Sequence, residues 1–258
     1  MDKIFNLYLV RHGESYNNAV PMAQRVCDPP LTELGQKQAA KLAERIHQEF
    51  DHPAGSTESS SLVLQKPTLD RVYTSAFLRT MQTIYPTTQL TGATPVIWTD
   101  LFEVGGCFDG HLPGQTTGRP GMTDTEIAEQ FSTYHIPSDI DENGWYKSKP
   151  RETPELAETR AVKVVNQLFE RYHGNQINVM CIIHGDLIRM LMRNLVPEQP
   201  DYGTEVTHNT SVTQLRFTAG AGDLPASNKA MQVTPQRATA EIVQFNDTSH
   251  LPGKMLSL

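Results

Sequence analysis

Residues Ile4 to Asn18 read IFNLYLVRHGESYNN. An apolar run, Leu7 to Val10, stops at the charged pair Arg11-His12 and then at Gly13. A run of large apolar residues bounded in this way predicts a buried strand opening into a loop. In an open α/β sheet, ligands collect at the carboxyl ends of the strands. Arg11 and His12 therefore stand where a small anion would sit.

Two later apolar runs end in a similar way. Asp70 to Ser75 (DRVYTS) predicts a strand closing on hydroxyl residues, then a helix that carries Arg79 and that Pro86 bends or ends. Ile177 to Ile183 (INVMCII) is the most apolar strand and meets His184-Gly185-Asp186. Asp186 is expected to cap a helix to about Leu195, broken by Pro197.

The rest of the chain alternates in the same manner. Asn17 to Pro30 reads as loop. Thr32 is expected to cap a helix through Phe50, with Ala39, Leu42, Ala43, Ile46 and Phe50 on one face. Asp51 to Lys66 is Ser-rich and reads as a surface excursion, and Pro95 to Trp98 as a short strand. Six glycines between Gly105 and Gly121 mark loop with close backbone approach, around Glu103. Thr123 to Glu126 has the form of a capping box, with a helix to about Phe131. Ser132 to Arg151 is irregular, with Trp145 as its anchor. Thr153-Pro154 starts a helix whose stripe is Leu156, Ala161, Val164, Val165, Leu168, Phe169 and Tyr172, stopped by Gly174. Val206 to Phe217 and Ala240 to Phe245 read as two late strands. Alternation of strand and helix predicts an α/β three-layer sandwich: a mostly parallel central sheet, helices on both faces, and mixed pairing at one edge.

Bulk properties narrow the function. A chain of 258 residues is long enough for one large α/β domain, and residues 1–258 are read as one, with a substrate-covering insertion around 105–151. Net charge is −7, so no basic field points to nucleic acid, and a phosphate site needs locally concentrated Arg and His. Cys27, Cys107 and Cys181 have no metal-type spacing and form no disulfide framework, which suits a reducing, cytoplasmic setting. No signal-peptide pattern and no membrane span is expected.

Parallel strands bring their carboxyl ends to one rim. The three motifs then place two arginines and two histidines around one crevice, which suits a phosphate bound by guanidinium forks. A neutral imidazole is a nucleophile near pH 7. Arg11, Arg79 and His184 are suited to stabilise charge on the phosphoryl oxygens. A protonated Glu103 is suited to supply the leaving group's proton, with Glu14 or Asp109 as competitors. No Walker-type loop is present. A metal site built from His12, His184, Glu103 and His208 is opposed by the two flanking arginines. His208 alone is read as a capping or packing residue.

Arg11-His12-Gly13-Glu14 after an apolar strand resembles the signature of the histidine phosphatase superfamily, in its phosphoglycerate-mutase-like branch. Thr74-Ser75-x-x-x-Arg79-Thr80-x-Gln82-Thr83, Leu101-x-Glu103 with Gly105-Gly106 and Gly110, His184-Gly185, Phe245-Asn246-Asp247 and His250-Leu251 resemble further elements, in the family's order. The resemblance implies that His12 becomes phosphorylated and that Arg11, Arg79 and His184 hold the phosphoryl group. It implies that Glu103 donates a proton and later activates water, and that Asn18, Ser15 and Gly185 help to bind substrate. No metal or organic cofactor is implied. The partner expected is a small phosphorylated metabolite, not nucleic acid or membrane, and a homodimer is left open.

One departure bears on the reaction. Mutases of the family place an Arg directly after the acid, and here Val104 follows Glu103. A carboxylate-bearing substrate needs a second cationic pocket, for which Arg119, Lys147, Lys149 and Arg151 are the nearby candidates. Phe108, Trp145 and Tyr146 offer an apolar wall. The reading is therefore hydrolysis of a small phosphomonoester through a phosphohistidine. The alternatives are mutase-type phosphoryl transfer, a catalytically silent phosphoryl-binding protein, and metal-dependent hydrolysis.

Overall fold

The computed structural model describes residues 3–50, 66–110, 114–219 and 239–258. The Ser-rich excursion, apart from Lys66, and most of the link between the late strands lie outside the described residues. In chain order the elements are β1 (Lys3–Arg11), α1 (Tyr16–Ala19), α2 (Glu33–Glu49), β2 (Arg71–Thr74), α3 (Leu78–Thr91), β3 (Val96–Ile97), β4 (Phe108–Asp109), β5 (Thr117–Gly118), α4 (Asp124–Gln130), α5 (Pro154–Tyr172), β6 (Ile177–Ile183), α6 (Gly185–Leu195), β7 (Val212–Ala219) and β8 (Thr239–Asp247).

The main sheet has the order β3-β2-β6-β1-β7-β8. Its first four strands are parallel, and β7 and β8 add antiparallel pairing at one edge. β4 and β5 form a separate two-stranded ribbon. The central strands are largely apolar because both faces are covered. Leu7, Leu9, Val179, Cys181 and Ile183 pack with Val164 and Leu168 of α5 and Leu187 and Leu191 of α6. Their neighbours Tyr8, Val10, Met180 and Ile182 point the other way, onto Leu42 and Ile46 of α2 and Met81 and Ile84 of α3. Helices thus flank a mostly parallel sheet, as the sequence predicts. Each large aliphatic side chain buried this way contributes roughly 1.5–3 kcal/mol.

Capping follows the sequence at three helices. Thr32 accepts from the Gly35 N–H at 3.0 Å, Thr123 forms a capping box with Glu126, and Thr153 accepts from the Leu156 N–H at 3.3 Å. Four details differ. Leu156 is 59% exposed and lies off the α5 stripe, which its neighbour Ala157 opens instead. Pro86 does not end α3, which runs on to Thr91 with Thr87, Thr88 and Thr91 buried. Burial of that last turn outweighs the one missing backbone bond. His184, in extended backbone conformation, is the N-cap of α6, and Asp186 lies in the first turn. β7 starts at Val212 rather than Val206, because Thr207 to Ser211 turn into the rim of the sheet, where Thr207 and Ser211 accept from Arg11.

One buried ion pair sets the segment that bears Glu103. Arg160 of α5 donates to both oxygens of Glu152 at 2.8 and 2.7 Å, and both side chains are under a tenth exposed. Its Nη1 also donates to the carbonyls of Asp100 and Phe102, at 2.8 and 2.9 Å, and its guanidinium lies over the Phe102 ring. Arg160→Met leaves Glu152 buried and unpaired, which costs about 3–5 kcal/mol. Urea titration should show that loss, with part of it recovered in the Arg160→Met/Glu152→Gln double variant. A single variant within 1 kcal/mol of wild type, on the scale of a surface pair, would show that this node holds nothing.

Candidate active site

The register of the parallel strands brings the motifs together. Arg11 of β1 pairs with Ile183 of β6, and Thr74 of β2 with Ile182. The ladder continues one residue further: the His12 N–H donates to the Ile183 carbonyl at 2.9 Å, and the Ser75 N–H to the Ile182 carbonyl at 3.1 Å. His12, Ser75 and His184 therefore leave the sheet at one level. The loop after β1 is pressed against α2, where a Cβ on Gly35 would fall 2.0 Å from the Glu14 carbonyl oxygen. The Gly13 N–H donates to Thr83 of α3 at 3.0 Å, fixing the loop from its other side.

The rim opens into a crevice of about 410 Å³. Arg11, His12, Ser15, Asn18, Arg79, Glu103 and Gly185 all line it. His184 does not: it is fully buried behind Arg79. Arg79 is the link between the imidazoles, whose centroids are 5.2 Å apart. Its Nε donates to His12 Nε2 at 3.2 Å and its Nη2 to His184 Nδ1 at 3.1 Å.

These bonds fix the tautomers. The Gly13 carbonyl, 2.7 Å from His12 Nδ1, can only accept, so the proton is on Nδ1 and the Nε2 lone pair faces Arg79. Burial pushes the His12 pKa well below 6.5, and the positive charges of Arg79 and Arg11 push the same way. His12 is neutral in consequence. His184 is also depressed by burial and then by Arg79, and its Nε2–H donates to Ser75 Oγ at 2.9 Å. Both lone pairs that a metal would need are occupied by a guanidinium. Among the described residues, no three His, Cys, Asp or Glu side chains are grouped to hold a metal ion.

Arg11 donates through Nη1 to the Thr207 carbonyl, while its Nε is buried without a partner. A buried, unpaired charged donor is costly, and a crevice anion would satisfy it. Gly185 leaves room for it, since a Cβ there would lie 3.3 Å from that Nε. The N-terminal turn of α6 adds a positive dipole end. Asn18 Oδ1 accepts from Ser15 Oγ at 2.8 Å and from its N–H at 3.0 Å, which leaves the Asn18 amide donors for the crevice.

Glu103 lies against α6. Its Oε1 accepts from the N–H groups of Val104 and Leu187, at 2.8 and 3.2 Å, and its Oε2 from that of Asp186 at 3.4 Å. These amides favour the anion. Burial, followed by the Asp186 charge, outweighs them and raises the Glu103 pKa above its usual 4.5. The competing acids are engaged elsewhere. Glu14 accepts from Thr32 Oγ1 at 2.7 Å, and Asp109 pairs with Arg119 at 2.5 Å. His208 bonds the Ser257 carbonyl at 3.3 Å, outside the crevice.

The proposed second cationic pocket needs correction. Of its four candidates only Arg151 lines the crevice. Arg119 is tied to Asp109, and Lys147 is tied to Asp141 at 2.6 Å. Arg25 and Arg189 line it instead. Arg189 had a legible signal, four residues after Gly185 and so on the same helix face. Arg25 had none, lying in a stretch that reads only as loop. Of the three residues expected to form an apolar wall only Phe108 lines the crevice, alongside Met22, Phe77, Val104 and Val206. Trp145 and Tyr146 are buried beneath it, where Trp145 packs on Phe77 and Phe102 at centroid distances of 4.8 and 5.8 Å.

Known proteins resemble the chain in sequence and in fold. The sequence profile of the histidine phosphatase superfamily (branch 1) matches residues 7–230. A probable phosphatase of Schizosaccharomyces pombe is 23% identical over 255 residues, covering 96% of each chain. Phosphoserine phosphatase of Entamoeba histolytica, solved with 3-phosphoglyceric acid, superposes with a TM-score of 0.55 at 19% identity, covering 96% of this chain and 100% of that one. A mycobacterial glucosyl-3-phosphoglycerate phosphatase superposes with a TM-score of 0.54 at 18% identity, covering 94% and 99%. With the profile spanning most of its length, and its motifs gathered on one rim, the chain belongs to the histidine phosphatase superfamily, branch 1.

Proposed function

We propose that this chain hydrolyses a small phosphomonoester without a metal, through a phosphohistidine at His12. The observation that carries this reading is the state of His12: neutral, with its proton held on Nδ1 by Gly13 and its Nε2 lone pair turned into an arginine-rich crevice. Substrate phosphate takes the place between Arg79 and Nε2. The guanidinium then binds phosphoryl oxygens, as do the unpartnered Arg11 Nε and the Asn18 amide.

Nε2 attacks phosphorus as the ester P–O bond breaks, and the leaving alkoxide takes its proton from Glu103. The Nδ1–H bond to Gly13 holds the positive imidazole ring in place. Water then attacks phosphorus, gives its proton to the Glu103 carboxylate, and the P–N bond breaks. Glu103 Oε2, with one long amide contact, is the oxygen suited to carry that proton. His184 turns from acceptor to donor once Arg79 leaves its Nδ1. The Ser75 hydroxyl permits this by donating to Nε2 instead of accepting from it. Val104 in place of the mutases' arginine favours hydrolysis over internal transfer. The mutase reading predicts instead that 3- and 2-phosphoglycerate interconvert faster than either is hydrolysed.

Three outcomes are expected. Wild type should release phosphate from p-nitrophenyl phosphate in EDTA, and His12→Ala should neither do so nor form an acid-labile, alkali-stable phosphoenzyme; loss of wild-type activity in EDTA would favour a metal. Glu103→Gln should lose roughly 10²–10⁴-fold in kcat on an alkyl phosphate. With p-nitrophenyl phosphate, whose leaving group needs no proton, the same variant should give a burst and accumulate phosphoenzyme. The pH profile follows from the two shifts. Attack needs deprotonated His12, whose pKa is depressed, so the acid limb of kcat/KM falls well below pH 6.5. Proton donation needs protonated Glu103, so on an alkyl phosphate kcat/KM declines as pH rises through its elevated pKa. An equal decline with the nitrophenyl ester would remove Glu103 from that role.

A further inference from the structure

The crevice holds more positive charge than one phosphoryl group requires. Five arginines line it, Arg11, Arg25, Arg79, Arg151 and Arg189, against the carboxylates of Glu103 and Asp186, in a chain of net charge −7. Arg189 is taken by Asp186. Arg11 and Arg79 surround His12. Arg25 and Arg151 remain, and among the described residues neither makes an ion pair.

Arg151 is held at its guanidinium, and the exposed Arg25 through the backbone beside it. The Arg151 guanidinium lies 4.8 Å over the Phe108 ring. That stack rests on bare backbone: Gly105 has φ +97°, and a Cβ there would come 3.0 Å from Phe108 Cε1 and 3.4 Å from Arg151 Nε. The Glu152 N–H donates to the Gly105 carbonyl at 3.0 Å, keeping the two strands of chain together. On the other wall, the Asn17 amide brackets the residue after Arg25. It donates to the Val26 carbonyl at 2.7 Å and accepts from the Val26 N–H at 2.9 Å. The walls meet where Cys27 Sγ lies 2.8 Å from Cys107 Sγ. Cys27 is two residues past Arg25, and Cys107 immediately precedes Phe108. Arg25 and the Arg151–Phe108 stack therefore stand on adjoining walls of the crevice.

We propose that Arg25 and Arg151 form a second anion subsite, and that the substrate is a phosphomonoester bearing a further carboxylate or phosphate. The proposal rests on the phosphatase reading and names its substrate class. Guanidinium forks suit either group. Holding the Arg151 guanidinium beforehand lowers the entropy lost on binding. Neither Arg25 nor Arg151 is bonded to His12, which makes them determinants of selectivity rather than of bond breaking.

The test compares kcat/KM for esters with and without a second anion. 3-Phosphoglycerate against glycerol 3-phosphate reports a carboxylate, and fructose 1,6-bisphosphate against fructose 6-phosphate reports a phosphate. Wild type should prefer the doubly anionic member of at least one pair by tenfold or more, less so at high salt. Arg25→Gln and Arg151→Gln should each cut that ratio several-fold, chiefly through KM, and the double variant should abolish it. Arg119→Gln, outside the crevice, should leave the ratio intact. No preference in either pair, or a ratio unmoved by the double variant, overturns the subsite. If wild type turns over none of these esters while still hydrolysing p-nitrophenyl phosphate, the subsite is likewise overturned. If it hydrolyses nothing, the phosphatase reading falls, and calorimetric titration of 3-phosphoglycerate and glycerol 3-phosphate into the same proteins decides the subsite alone, equal affinities counting against it.

Discussion

A single guanidinium, that of Arg79, donates to both imidazoles of the crevice. It is buried, and its charge is balanced at a distance, most by Asp28 and then by Glu103. A buried cation without a direct carboxylate partner is costly to the free protein. In the proposed reaction an incoming phosphoryl group removes that cost. After burial, which acts most strongly, Arg79 is also what keeps both histidines neutral, since a proton on either would face it at hydrogen-bonding distance.

The fold supplies what this bond needs. Three adjacent parallel strands end at one level, so His12, Ser75 and His184 are placed by backbone ladder bonds and not by loop packing. Arg79 is the second residue of α3, whose first turn is capped from a distant loop by Asp28 accepting from the Leu78 N–H at 3.0 Å. Burial lifts the Asp28 pKa to about 6 against the pull of Arg79. The acid loop is held on the opposite side by Arg160, and α6 presents its N-terminal amides to Glu103. The proposed nucleophile, charge clamp and acid therefore rest on separate elements, each tied to the same sheet.

The sheet and its two helical layers were legible because the central strands are apolar on both faces and the helices carry clear caps at Thr32, Thr123 and Thr153. Seven of the eight proposed site residues line one crevice, and all of these but Glu103, which lies in loop, sit at strand ends or helix starts where local pattern fixes position. The eighth, His184, was legible as a strand-end histidine, but its burial behind Arg79 was not. The second set of cations was misjudged. Arg119 and Lys147 looked available because their partners Asp109 and Asp141 lie 10 and 6 residues away in irregular chain. Arg25 was missed because a loop has no period from which to read direction. Trp145 and Tyr146 were expected to line the crevice, yet aromatic residues in irregular chain are as apt to anchor a loop from below.

The most direct test is long-range ¹H–¹⁵N NMR of the imidazole rings in the free enzyme, titrated from pH 5 to 8 with His12 assigned by substitution. His12 is expected to remain neutral across that range, with the proton on Nδ1, and its Nε2 signal should shift when inorganic phosphate displaces Arg79. A His12 that titrates near 6.5, or that carries its proton on Nε2, would contradict the proposed nucleophile.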